Sequence, residues 1–266
     1  MTPAPPHDDA VGGGAGAARP AGGVMVVTGG GRGIGAAIAR RAVADGYGVL
    51  LTYAHDDASA SALVAGLRGS GGRAVALRAD ARDPATPAAA LDRAEAELGP
   101  VTVVVNNAGV TGRIGPFGDV TPDDVRRVLD VNVLGTLLLS QEAVRRWLAA
   151  GATGAVVNVS SVAATLGAPG EYVPYAASKA AVEAMTVGLA REVAGRGIRV
   201  NAVSPGTVDT EIHAAAGEPG RPARVAGRIP MGRVGTVDEI AAAVLWLASA
   251  EASYVTGAVL RVSGGL

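Results

Sequence analysis

Seven short runs rich in Val and Leu, separated by segments of helical length, constrain this chain more than any other feature. They read "VMVVT" (24–28), "GVLLTY" (48–53), "AVALRA" (74–79), "VTVVVN" (101–106), "AVVNVS" (155–160), "RVNAVS" (199–204) and "AVLRV" (258–262). Several are unbroken apolar runs. A strand with one wet face alternates apolar and polar residues; a strand covered on both faces, as in a parallel sheet, does not. The segments between them carry readable helix starts. Asp83-Pro84 and Thr121-Pro122 each put a capping residue before a proline suited to the first helical position, and Thr236 with Glu239 reads as a capping box. The expectation is a doubly wound α/β domain, a parallel sheet of seven strands with helices on both faces.

Length and composition fit one such domain. The chain has 266 residues, 49% of them hydrophobic, with a mean hydropathy of +0.32, enough for a large core. No apolar run approaches the ~20 residues that span a bilayer, so no membrane partner is expected. Residues 1–22, rich in Pro, Gly and Ala, read as a disordered tail and not as a secretory signal, which leaves 23–266 as the single domain. The absence of cysteine excludes disulfides and thiol catalysis, and with no targeting signal read in the sequence a cytoplasmic location is expected. A net charge of -1 without a basic stretch argues against nucleic acid, and His7, His55 and His213 are too scattered to suggest a metal site. A small molecule is the expected partner. One internal segment, 211–232, lacks periodicity and is rich in Gly, Pro and Arg; a loop of that length is usually functional.

The first strand runs into "TGGGRGIGAAIARR", a glycine turn followed by an amphipathic helix. Gly29, Gly33 and Gly35 let the backbone turn tightly and approach a pyrophosphate seated on the helix N-terminus, so a Rossmann-type nucleotide site is expected. The spacing Thr-Gly-x3-Gly-x-Gly resembles the opening of the short-chain dehydrogenases/reductases. That resemblance implies a nicotinamide cofactor held by Gly29, Arg32, Gly33, Ile34 and Gly35. It also implies an acid at the end of the second strand in members that use NAD; here the position is Tyr53. Without a carboxylate at 53 a 2′-phosphate is not repelled, and Arg32 is placed to pair with it, helped by His55. NADP(H) is therefore expected ahead of NAD(H). The family segments "LRADARD" and "NNAG" imply that Asp80 meets the adenine and that Asn107, Ala108 and Gly109 line the adenine ribose. "SPGTVDT" implies that Pro205, Gly206, Val208 and Thr210 line the nicotinamide side.

The stretch "GEYVPYAASKAAVEA" (170–184) holds two of the five tyrosines, and spacing separates them. Pro174 is suited to a first helical turn, so Tyr172 precedes the helix. Tyr175 and Lys179 share a face one turn apart, whereas Tyr172 stands seven residues from Lys179, about 10 Å along a helix axis. A phenol with an ordinary pKa of about 10 is a poor proton donor or acceptor at neutral pH, and a neighbouring ammonium is expected to bring Tyr175 down. The family resemblance implies that Tyr175 is the general acid/base and that Lys179 lowers its pKa and binds the nicotinamide ribose. It further implies that a serine before the tyrosine positions the substrate carbonyl. Ser161 is that serine, with Ser160 beside it as the alternative, and Asn132 is implied to hold a water in the proton relay.

The resemblance extends from about residue 24 to the C-terminus, with the motifs in family order. It implies hydride transfer between nicotinamide and a carbonyl or secondary alcohol, within the compact branch that includes glucose-dehydrogenase-like and acyl-carrier-protein-reductase-like members. It places a substrate lid at 211–232. It also implies a homotetramer, or a dimer, built through helices near 121–149 and 174–195 and the C-terminal strand. An apolar substrate pocket rimmed by Arg113 and Arg221 is expected, with His213 solvated or lining it. Competing readings are a cofactor sensor without turnover and an NAD-dependent sugar or alcohol dehydrogenase.

Overall fold

The computed structural model describes residues 23–266; the tail expected over 1–22, His7 included, lies outside the described residues. The strands are β1 (Val24–Val27), β2 (Gly48–Tyr53), β3 (Ala74–Arg78), β4 (Val101–Asn106), β5 (Gly154–Val159), β6 (Ile198–Pro205) and β7 (Val259–Val262). They form one sheet in the order β3-β2-β1-β4-β5-β6-β7, parallel throughout. The helices are α1 (Gly33–Ala44), α2 (Asp57–Gly69), α3 (Thr86–Leu98), α4 (Pro122–Leu129), α5 (Gly135–Ala150), α6 (Ala163–Leu166), α7 (Val173–Val193), α8 (Ile212–Ala215), α9 (Arg221–Ala226) and α10 (Val237–Ala248).

Two cores explain the unbroken valine runs. Met25 and Val27 of β1 pack with Ile38 of α1, Leu63 of α2 and Ile240 of α10. Val24 and Val26, pointing the other way, pack with Leu91 of α3, Leu139 and Trp147 of α5 and Val193 of α7. Successive residues of the strand therefore enter opposite cores, and both must be apolar. Burying each such side chain fully contributes about 1.5–3 kcal/mol relative to leaving it in water. The indole N–H of Trp147 donates to the Val101 carbonyl at 2.7 Å, so the largest side chain of the second core leaves no polar group stranded.

Two of the three expected helix starts form as read. Thr121 and Asp124 make a reciprocal capping box on α4, and Thr236 and Glu239 make one on α10. The third does not. Asp83 accepts from the Ala85 N–H at 2.9 Å and closes a turn of its own, which delays α3 to Thr86 with Pro87 in its first turn. The segment 211–232 is not a plain loop, since it contains α8 and α9. A π-helical turn, Asp130–Leu134, joins α4 to α5 and carries Asn132.

From β1 the sheet grows towards β3 on one side and towards β7 on the other. The β1/β4 boundary is the switch point of this doubly wound sheet, and the crevice beyond the C-terminal strand ends there is where such folds bind ligands.

Candidate active site

The glycine turn is built around Thr28. Its hydroxyl accepts from the N–H groups of Asn107 and Ala108 at 3.0 Å each, and Asn107 Nδ2 donates back to the carbonyls of Thr28 and Gly29. The segment after β4 thus holds the turn after β1 in place. Gly29 and Gly33 have left-handed backbones, φ +62° and +51°, which side-chain-bearing residues rarely adopt. A Cβ on Gly35 would lie 2.2 Å from the Gly29 carbonyl oxygen, and one on Gly33 would stand 3.5 Å from Thr210. This cradle of bare backbone at the start of α1 fits a dinucleotide pyrophosphate, with Thr210 facing it from the loop after β6. Ile34 anchors the turn in the first core. Arg32 is exposed at the N-cap of α1.

A crevice lined by Thr28, Thr52, Ala81, Asn106, Ala108 and Val131 lies beside the switch point. Asp80 is turned towards Arg82, which pairs with it at 2.6 Å and holds the carboxyl below its ordinary range. Asp56 is committed to capping α2 through the Ser59 N–H. The Tyr53 hydroxyl is turned towards Asp57, whose carboxylate raises the phenol's pKa, and Asp57 also lies 3.9 Å from Arg78.

On the other side of the crevice, Gly206 sits against Ser263, whose Cα would be 2.9 Å from a Cβ there. The Pro205 carbonyl accepts from the Val162 N–H at 2.9 Å, which ties the turn after β5 to the end of β6. Val208 is buried and its carbonyl takes the His213 Nε2–H at 2.9 Å. His213 is not solvated: it is buried, and burial lowers its pKa. The Val208 carbonyl is correspondingly engaged within the protein.

Tyr175, Ser161 and Lys179 come together beside this crevice. Helix α7 begins at Val173 with Tyr172 as its N-cap, so Tyr175 lies in the first turn and Lys179 one turn on. The Ser161 hydroxyl accepts from the Ala163 N–H at 3.1 Å and lies beside the Tyr175 phenol, whose pKa it lowers. Ser160 turns the other way, buried, with its hydroxyl donating to Glu183 Oε1 at 2.8 Å. Lys179 is buried, 5.7 Å from the Tyr175 ring centroid, with Nζ donating to the Val159 carbonyl at 2.7 Å. Burial brings its pKa down to about 8.

The expectation that Lys179 brings the Tyr175 pKa down is corrected. Burial raises the phenol, and the influences that oppose burial are the Ser161 hydroxyl and the Arg221 guanidinium. Lys179 Nζ stands 5.7 Å from the ring centroid and donates to the Val159 carbonyl. Asn132 also differs from expectation. Both hydrogens of its amide are engaged, by the Val110 carbonyl (2.8 Å) and Ser178 Oγ (2.9 Å), while Oδ1 accepts from the Val110 N–H at 2.8 Å. The side chain therefore clips the loop after β4 to α7 rather than presenting donors to a water. Gly109 separates the two partners: a Cβ there would lie 3.4 Å from Asn132 Oδ1 and 3.5 Å from Lys179 Nζ.

Val110, Ile114 and Ala163 pack with Tyr172 and Tyr175 in a small apolar cluster. Arg113 is exposed, whereas Arg221 is largely covered and paired with Glu171. Sequence reading passed over Glu171 and Ser178; a carboxylate directly before the tyrosine pair was the available signal for the first. Among the described residues no group of three or more His, Cys, Asp or Glu could hold a metal, and no helix is long and apolar enough to cross a membrane.

Cradle and switch point together make this a dinucleotide-binding α/β domain, and the comparisons with known proteins agree. A family model described as Enoyl-(Acyl carrier protein) reductase matches residues 29–266. The uncharacterized oxidoreductase YgfF of Escherichia coli is 44% identical over 91% of this chain and 99% of its own. The 3-oxoacyl-[acyl-carrier-protein] reductase FabG of Salmonella typhimurium is 38% identical over 91% of this chain and 96% of its own. A short chain dehydrogenase from Burkholderia cenocepacia, solved in complex with NADP, superposes with a TM-score of 0.85 at 38% identity, covering 93% of this chain and 98% of that one. The chain belongs to the short-chain dehydrogenase/reductase family, whose members are NAD(P)-dependent oxidoreductases acting on CH–OH and C=O groups.

Proposed function

We propose that this chain reduces a small-molecule carbonyl, or oxidises the corresponding secondary alcohol, using NADP(H), with Tyr175 as the proton donor and acceptor. The observation that carries the reading is the convergence of the Ser161 hydroxyl and the buried Lys179, 5.7 Å from the ring centroid, on a buried Tyr175, because a sensor without turnover has no use for that trio. Bound nicotinamide supplies or takes the hydride at the carbonyl carbon. The Ser161 hydroxyl donates to the carbonyl oxygen as charge develops on it, and Tyr175 transfers its phenolic proton to the same oxygen. Lys179 donates to the Val159 carbonyl beside the ring of Tyr175, and its role in this reading is to bind a ribose hydroxyl of the cofactor. Asn132 fixes the floor of the site through Val110 and Ser178.

NADP(H) is favoured by the residues at the adenine end. Position 53 offers a phenol, Asp56 is spent on a helix cap, and Arg32 is exposed at the α1 N-terminus. The NADP bound in the Burkholderia cenocepacia relative supports the same choice. Exposed Leu129, Leu134 and Leu137 along α4–α5, with Trp246 and Tyr254 towards the C-terminus, support assembly into a tetramer. The test is a fluorescence titration with NADPH and with NADH, followed by a carbonyl screen. NADPH binding at least about tenfold tighter, with turnover, is expected. Equal or tighter NADH binding sinks the cofactor choice, and failure to bind either sinks the enzyme.

A further inference from the structure

We propose that Arg221 is a positioning residue, carried by α9, that seats Tyr172 against Tyr175 and, through Glu171, fixes segment 211–232 over the reacting end of the site. The inference rests on the reading of Tyr175 as proton donor. Arg221 is largely covered, its side chain 13% exposed, and its Nη2 and Nε donate to Glu171 Oε2 at 2.6 and 3.1 Å. Its guanidinium carbon lies 5.2 Å from the Tyr172 ring centroid, and Nη1 reaches Thr207 Oγ1 at 3.4 Å. The Tyr172 ring in turn meets the Tyr175 ring edge-on, centroids 5.4 Å apart at 88°. A cation over one aromatic face, with a second ring at its edge, orders all three groups.

Glu171 is the joint where three segments meet. Its second oxygen accepts from Arg224 Nη2 at 2.8 Å, and Arg224 also pairs with Glu218. Its carbonyl accepts from the Gly115 N–H at 2.8 Å, while the neighbouring Ile114 N–H donates to the Ala216 carbonyl at 3.2 Å. Segment 211–232, through the Glu171 carboxylate, and the loop at 110–118, through the Glu171 backbone carbonyl, are therefore tied to one residue in the turn that opens α7. Exposed ion pairs contribute little, but here both guanidinium groups converge on a carboxylate whose side chain is 20% exposed.

The placement also bears on the proton. The charged and titratable groups around Tyr175 are Lys179 from its own helix, Tyr172 and Glu171 from the turn before it, and Arg221 from α9, with the Ser161 hydroxyl beside them. Arg221 is the cation that opposes the effect of burial on the phenol. The charge set Arg221, Arg224, Glu171 and Glu218 is balanced, so neutralising Glu171 leaves two guanidinium groups facing each other.

Two measurements on the full chain test this without needing turnover. The first is alkaline titration of tyrosinate absorbance, wild type minus Tyr175→Phe, to isolate the Tyr175 midpoint. In Arg221→Met that midpoint is expected to rise by about half a unit to one unit, and Arg221→Lys is expected to restore most of it. The second is trypsin cleavage after Arg224 and Arg228, which is expected to quicken about three- to tenfold in Glu171→Gln. A Tyr175 midpoint unmoved in Arg221→Met overturns the proposal even where activity falls, and an unchanged cleavage rate in Glu171→Gln overturns the tie to segment 211–232. If Arg221→Met does not fold, Arg221→Lys and Glu171→Gln still decide. A wild type that binds NADPH yet turns over no carbonyl sinks the functional reading and leaves both of these readouts intact.

Discussion

Lys179 Nζ donates to the carbonyl of Val159, 2.7 Å away, and not to the Tyr175 hydroxyl one helical turn earlier. That bond holds an ammonium, 4% exposed, at the end of β5, with its pKa down at about 8. The protonated form is thus disfavoured in the folded chain relative to the unfolded one, where the ordinary value of 10.5 applies. Between these values the unfolded chain binds more protons, so stability gained from this group rises with pH across about 8 to 10.5.

Lys179→Met is accordingly expected to stabilise the protein while abolishing turnover. At pH 7 the gain should be roughly 1–3 kcal/mol, less than the full linkage value because the Val159 carbonyl loses a donor. The gain should be complete below about pH 8 and fade towards pH 10.5. Denaturant unfolding of both proteins at pH 7 and pH 10 measures it. A variant less stable at pH 7 would show that the lysine is held by more than its one carbonyl.

The two serines after β5 should separate cleanly. Ser161→Ala removes the hydroxyl beside Tyr175 and is expected to lower kcat/KM about 10²–10³-fold with little change in melting temperature. Ser160→Ala instead strands the Glu183 carboxylate that its hydroxyl meets at 2.8 Å. Its expected signature is a loss of about 1–2 kcal/mol of stability with a far smaller loss of kcat/KM. Kinetics and thermal melts on the pair check this, and equal kinetic losses would refute the division of labour.

How much of this was legible before the fold was known varies with the kind of signal. The strands were, because residues such as Val26 and Val27 must satisfy opposite cores and so write both cores into one run. Tyr175 and Lys179 were, because helical spacing is local. Asn132 was visible as a residue but not as a clip. Its π-turn has no local mark in "DVNVL", and its amide partners Val110 and Ser178 lie 22 and 46 residues away. The tie between Glu171 and Arg221 spans 50 residues, and neither charge carries a mark of its partner. Asp83 misled for a different reason: a good capping residue also closes a good turn, and here the turn won.

Gly35→Ala should destroy the glycine turn. The added Cβ would lie 2.2 Å from the Gly29 carbonyl oxygen and 2.6 Å from Asn107 Nδ2, and neither can retreat because each holds the other at 3.0 Å. Forcing that contact is expected to cost about 1–3 kcal/mol of stability and to weaken NADPH binding at least about tenfold. By contrast Gly46→Ala, where a Cβ meets nothing within 4 Å but φ is +91°, should strain only its own turn and leave cofactor affinity unchanged. Titration of the two variants with NADPH distinguishes a packed cradle from mere backbone freedom, since equal losses would point to the latter.

The NADP(H) preference proposed above is expected to reverse when position 53 carries a carboxylate and the α1 N-terminus loses its cation. Tyr53 now donates its hydroxyl towards Asp57, a residue shared with Arg78 at 3.9 Å, so Tyr53→Asp brings a second carboxylate to that corner and disfavours a 2′-phosphate by charge. Arg32→Ser removes the exposed guanidinium at the N-cap of α1 while keeping a residue suited to that cap. Each change alone should weaken NADPH binding about tenfold, and the pair should favour NADH, because a charge pair gained by one cofactor is lost without penalty to the other. Comparing NADPH and NADH dissociation constants at low and high salt checks the cause. An electrostatic preference shrinks as salt rises, whereas one built on shape does not.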